Sequence, residues 1–103
     1  MMELADFAII ESPIFQGETE QVIYSLTTTP WGSSPSSPSL TITDRNGTDK
    51  TASVTSGSTT VLGDVITLAK IQSLSRGSSP YKMLVEFTIG SNRLSTWADL
   101  VAR

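Results

Sequence analysis

The chain contains no cysteine and no histidine in its 103 residues. Without a thiol there is no Cys nucleophile and no disulfide framework. Without an imidazole there is no Ser-His-Asp relay, and a Cys/His zinc site is excluded as well. A chain free of Cys works equally in reducing and oxidising surroundings, so the redox compartment stays open. Long apolar runs are also missing. Nothing approaches the ~18 residues that a membrane span requires, and no membrane contact is expected. The seven Lys and Arg residues form no stripe interleaved with aromatics that would neutralise phosphates, so nucleic acid is not an expected partner. The opening stretch MMELADFAIIESP carries acids where a secretory signal carries bases, and it is read as holding no such signal.

What is present is the balance of one globular unit. Hydrophobic residues at 38 % and charged residues at 17 % separate the chain from disordered sequences, and 11.0 kDa is the size of one ordinary domain, so a single domain over residues 1–103 is expected. A domain this short buries only about 60–70 % of the surface its unfolded chain exposes, which leaves little room for a deep cleft. Neither an enzyme nor a cofactor is expected. Charge is unevenly placed: residues 1–20 hold Glu3, Asp6, Glu11, Glu18 and Glu20 and no base, while residues 21–103 hold seven bases against five acids. This acidic N-terminal arm has two uses open to it, lying on a basic partner or lying on the domain's own basic face.

Ser and Thr fill 30 positions, many of them alternating with apolar residues, which suits the wet face of a half-buried sheet. Helical spacing is nearly absent, and turn signals recur every 8–12 residues; the expected class is all-β, a β-sandwich of about seven or eight antiparallel strands. The clearest strand is YKMLVEFTI, with Tyr81, Met83, Val85, Phe87 and Ile89 on one side, expected to be inward and near the centre of a sheet. Other strands are expected at residues 6–12, ended by Pro13, at 20–28 with Val22, Tyr24 and Leu26 inward, at 39–43, and near 50–55. A further pair flanks a tight Gly63-Asp64 turn. The Ser/Pro-rich segment 29–38 is expected as a loop, because Pro30, Pro35 and Pro38 cannot donate to a ladder. Asn46-Gly47 reads as a tight turn. Residues 93–103 fit either a final strand beside residues 81–89 or a short helix capped by Ser95; the strand is preferred.

Few residues are placed for chemistry. Asp44, Asn46 and Asp49 supply oxygen but miss the spacing of a calcium loop and lack its downstream Glu, so no metal site is expected. Asn46-Gly47-Thr48 is formally a glycosylation acceptor, and the turn is the simpler account of it. No two of the ten carboxylates are paired by the sequence as a glycosidase requires, and Glu86 falls on the outward side of its strand. Trp31, beside Pro30, serves either as an interface anchor or as a cap folded over the open end of the sandwich. Trp97 is expected to pack against the core or a neighbouring subunit, and an exposed last strand would be an edge able to pair with another chain. With Glu3, Asp6 and Glu11, these two tryptophans are the candidate partner-binding residues.

One longer pattern stands out in residues 39–103. An apolar strand is followed by Asp44, Gly47 and Asp49, a Ser/Thr/Gly-rich segment, Gly63-Asp64 with Thr67, then Leu74, Gly77 and Tyr81, an alternating strand through Phe87 to Gly90, and Asn92 before the last strand. This order resembles a group of small tailed-bacteriophage proteins; Lys50 departs from it where an apolar residue is usual, and residues 1–38 match loosely. The resemblance implies an Ig-like sandwich in the virion, assembled in the host cytoplasm, with no catalytic residue. It implies a capsid cement or decoration protein or a head-tail neck protein, touching the major capsid, portal or other neck or tail proteins and copies of itself. The alternatives are a tail component, or a carbohydrate- or host-binding module on a fibre or cell surface.

Overall fold

A computed structural model describes the backbone of residues 6–8 and the whole of residues 13–103. The expected all-β class holds: strands dominate, in several sheets whose pairings are mostly antiparallel. The first sheet contains β1 (Asp6–Ala8), β2 (Ile14–Gln16), β4 (Ser36–Thr43), β9 (Tyr81–Ile89) and β10 (Asn92–Ala102). Its order is β1-β10-β9-β4, with β2 also on β10, so β9 lies inside the sheet as expected. Both N-terminal strands run parallel to β10, Phe7 beside Thr96 and Phe15 beside Val101.

The second layer contains β3 (Ser25–Thr27), β5 (Thr55–Ser56), β6 (Thr60–Leu62), β7 (Val65–Thr67) and β8 (Lys70–Ile71). β7 lies between β3 and β6, and β8 pairs with β5. Ile71 joins these two short ladders, since it pairs with Thr55 on one side and bridges Val22 on the other. Between them Leu68 and Ala69 are both buried, which strict strand alternation forbids. The ladder breaks there, and the Thr59 hydroxyl accepts the Ala69 N–H at 3.1 Å in its place.

Alternation decides which side chains meet between the layers. Tyr81, Met83, Val85 and Phe87 of β9 are buried, with Ile89 partly covered against them, and β10 buries Leu94, Thr96, Ala98, Leu100 and Ala102. From the other layer Leu26, Ile66, Leu68 and Ile71 join the same cluster. Residues 92–102 are therefore strand and not helix. The Gly63-Asp64 turn joins β6 and β7 as expected, and Val22, Tyr24 and Leu26 lie on the less exposed side of their segment.

Four local expectations change. Residues 50–55 do not open with a strand: α1 (Thr51–Val54) is one helical turn, and β5 follows it. The Asp49 carboxylate accepts the Thr51 N–H and hydroxyl at 2.9 and 2.7 Å, and the Lys50 carbonyl accepts from Ser53 and Val54, so the chain curls before it can extend. Within the expected loop 29–38, β4 already begins at Ser36 and includes Pro38. Its register shifts between Ser36 and Ser39, where Ser37 has φ 51°, and β4 is an edge strand, the place where a missing proline donor costs least. The strand expected over residues 6–12 is seen at Asp6–Ala8, residues 9–12 lie outside the described residues, and β2 after Pro13 was not expected. Around Asn46-Gly47 only Gly47 has positive φ, 83°, so it closes a longer loop in which Gly47 N–H donates to the Asp44 carbonyl and Asp44 N–H to the Thr48 carbonyl.

The corner before β9 is built on Tyr81. Tyr81 is buried, and its hydroxyl accepts the Ser75 N–H at 3.0 Å, while the Ser75 hydroxyl accepts the Gly77 N–H of the following 3₁₀ turn, Arg76–Ser78. Tyr81→Phe keeps the ring and removes this bond. A loss of about 1 kcal/mol is expected, seen as a fall of roughly 4–8 °C in thermal unfolding followed by circular dichroism. An unchanged midpoint would mean that water replaces the hydroxyl at no cost.

Candidate interaction surface

Pairing register converts the outward positions of β10, β9 and β4 into rows across one face of the sheet. The central row is Trp97, Leu84 and Thr41. On one side lies the row Asp99, Lys82 and Thr43; on the other lies Ser95, Glu86 and Ser39. Arg93 and Thr88 follow beyond the second of these rows. An aromatic and an aliphatic residue, both partly exposed, thus occupy the middle of a frame of charges and hydroxyls. Lys82 Nζ sits 5.1 Å from the centre of the Trp97 ring, which holds the amine close over the face. Arg93 is tied down by Nη1, which donates to the Ser37 carbonyl at 2.7 Å and to the Thr88 hydroxyl at 3.0 Å.

Trp97 is therefore not a core residue. Thr96 and Ala98 on either side of it point inward and are fully buried, so strand parity turns the indole outward despite its hydrophobicity. Trp31 behaves oppositely. Its ring lies 5.9 Å from that of Phe87, tilted by 34°, and packs against the core, so it closes that end of the cluster rather than projecting from a tip. The loop that carries it is drawn in tightly: a Cβ on Gly32 would fall 2.8 Å from Ile89 Cγ2. Asp64 fastens the same loop, its carboxylate accepting from Ser34 N–H and the Thr29 hydroxyl and its carbonyl accepting from Thr28 N–H. The Gly63-Asp64 pair of the sequence pattern is thus a tether between hairpin and loop.

The acidic arm is only partly in view. Glu3 and Glu11 lie outside the described residues, and Asp6 stands on β1 opposite Ser95. Glu18, further along, lies on the domain's own base: its carboxylate accepts the Arg76 backbone N–H at 2.8 Å and the Arg76 Nε at 3.2 Å. That backbone N–H, opposed by desolvation and helped by the nearby guanidinium, holds the Glu18 carboxyl below its ordinary value. A lowered acid stabilises the fold above its unfolded pKa, and this contact is lost as pH falls through the lowered one. Asp44 and Asp49 spend their oxygens on the N–H groups of Asn46, Thr48 and Thr51 in their own loop, and among the described residues no three acidic side chains gather to hold a metal.

Two features escaped sequence reasoning. Phe15 is 51 % exposed, with the Arg103 guanidinium 4.5 Å from its ring. The β6-β7 hairpin presents Leu62, 86 % exposed, beside Val65. Phe15 carries no signal in the sequence, because nothing there marks residues 14–16 as a strand, whereas counting alternation back from the Gly90 turn puts Trp97 beside Leu84. No family profile, no curated protein and no solved structure matches the chain.

Proposed function

We propose that this chain is a non-enzymatic structural component of a tailed-phage virion, a capsid cement or head-tail neck protein, and that its sandwich is Ig-like. Strand order supports the second part. In chain order β3, β4, β5 with β6, β7 with β8, β9 and β10 take the places of strands B to G of an Ig sandwich, B-E-D in one layer and C-F-G in the other, with Tyr81 at the corner before F.

The observation that carries the role is where the resembling positions fall. Asp44 and Gly47 build a turn, Gly63-Asp64 tethers a loop, Tyr81 fixes a corner and Phe87 fills the core. Scaffold residues of this kind hold a shape and supply no reactive group, which supports a role carried by the surfaces. Trp97 set among Ser39, Thr41 and Ser95 favours one second reading, a carbohydrate- or host-binding module, since a part-exposed aromatic on a hydroxyl-rich sheet suits a sugar ring.

Quantitative mass spectrometry of purified virions tests the role. A few hundred copies would place the chain on the capsid shell, and about a dozen would place it at the neck or tail, following the symmetry of each assembly. Its absence from virions, with binding on a glycan array, would replace the virion role by the binding module.

A further inference from the structure

We propose that the Trp97-Leu84 face binds a second copy of this chain about a twofold axis. Lys82 and Glu86 lie two residues to either side of Leu84 on β9, each about 6.7 Å along the strand from it and on the same outward face. A twofold axis lying in the face along the Trp97-Leu84-Thr41 row brings the two β9 strands over each other in opposite directions. Lys82 of each copy then faces Glu86 of the other, so the charges pair twice. Trp97 and Leu84 meet their own counterparts at the centre. A closed twofold contact requires a patch complementary to itself, and opposite charges set symmetrically about an apolar row meet that requirement. Two twisted sheets stacked about 10 Å apart and within roughly 30° of alignment keep these pairs within side-chain reach.

The arrangement also resembles an energetic centre with a rim. Trp97 supplies the aromatic anchor, Leu84 its neighbour, and the polar rows shield them from water. This proposal does not rest on a virion role, since it concerns the isolated chain.

Sedimentation velocity of the purified protein over a concentration series is the test. The expected result is a reversible shift from 11 kDa monomer to dimer that weakens as NaCl rises, because the rim pairs are exposed to screening. Lys82→Glu and Glu86→Lys should each weaken association about tenfold or more, because one substitution sets like charges together at both pairs. The combined Lys82→Glu/Glu86→Lys protein should recover most of the wild-type affinity, and Trp97→Ala should lose on the order of thirtyfold or more. Circular dichroism confirms that each variant folds, which their outward positions allow. A wild-type chain that stays monomeric throughout overturns the proposal. So does a dimer indifferent to the single reversals, or a double swap no better than either one, which would assign the face to another protein or to a sugar.

Discussion

Phe87→Ala is expected to remove about 3–5 kcal/mol from a fold whose total stability is of order 5–15 kcal/mol, lowering the unfolding midpoint by roughly 20 °C. Phe87 is 1 % exposed and is the largest of the fully buried side chains among the described residues. It sits opposite Leu94 on β10 and beneath the Trp31 ring, so its loss opens a space bounded by two strands and a loop. How far the space closes decides the cost, and here closure is resisted. β9 is held on both sides by β10 and β4, and the Trp31 loop is pinned to the hairpin by Asp64 and crowded against Ile89.

Two readouts separate this account from general fragility. Leu62→Ala at the hairpin tip should change stability by no more than about 0.5 kcal/mol, because that side chain gains little from folding. In a Trp97→Phe background Trp31 is the one remaining tryptophan, and its emission, excited beyond the tyrosine absorption band, should shift to the red in Phe87→Ala as the ring loses its apolar floor. A cost below about 1.5 kcal/mol with unshifted emission would show instead that Trp31 follows the cavity inward and that the tether is loose.

The parts legible in the sequence are those where one physical rule acts alone. Residues 81–89 alternate because one face is buried and the other wet, and a side-chain period of two leaves a single register that buries Tyr81 to Phe87. The same rule read along β10 places Leu94, Ala98 and Leu100 inward, and it contradicts the intuition that a tryptophan belongs in the core. Illegible parts are those where a neighbour overrides the local signal. Thr51–Val54 has the β-branched residues of a strand, but the Asp49 carboxylate curls it into a turn. Pro38 reads as a loop breaker until β4 is known to be an edge. In β2 the local signal is inverted: Phe15 points out and Gln16 points in, because the strand's place beside Val101 and Ala102 decides its sides.

That inversion has a measurable consequence, for Gln16 is 1 % exposed and fully bonded. Its Nε2 donates to the Ile71 carbonyl at 2.8 Å and the Glu20 carbonyl at 3.1 Å, and its Oε1 accepts from the Tyr24 hydroxyl at 2.7 Å. Burial, with the Glu20 carboxylate adding to it, pushes the Tyr24 phenol further up from its ordinary value, away from neutral pH. One amide therefore joins β2 in the first sheet to the backbone and side chains of the second layer. Gln16→Leu fills a similar volume but offers nothing to the Tyr24 hydroxyl, and an orphaned, partly buried donor costs about 1–3 kcal/mol beyond the lost bonds to Ile71 and Glu20. The Ile71 carbonyl is spared, since it still accepts from Val22 N–H at 3.0 Å. A total loss of about 2–4 kcal/mol is expected in urea unfolding. Adding Tyr24→Phe removes the orphan along with its partner, so Gln16→Leu/Tyr24→Phe should be more stable than the sum of the two single changes by about 1 kcal/mol or more. Strict additivity would mean that Tyr24 finds water in place of Gln16. In that case the join between the layers would rest on the Ile71 and Glu20 carbonyls alone.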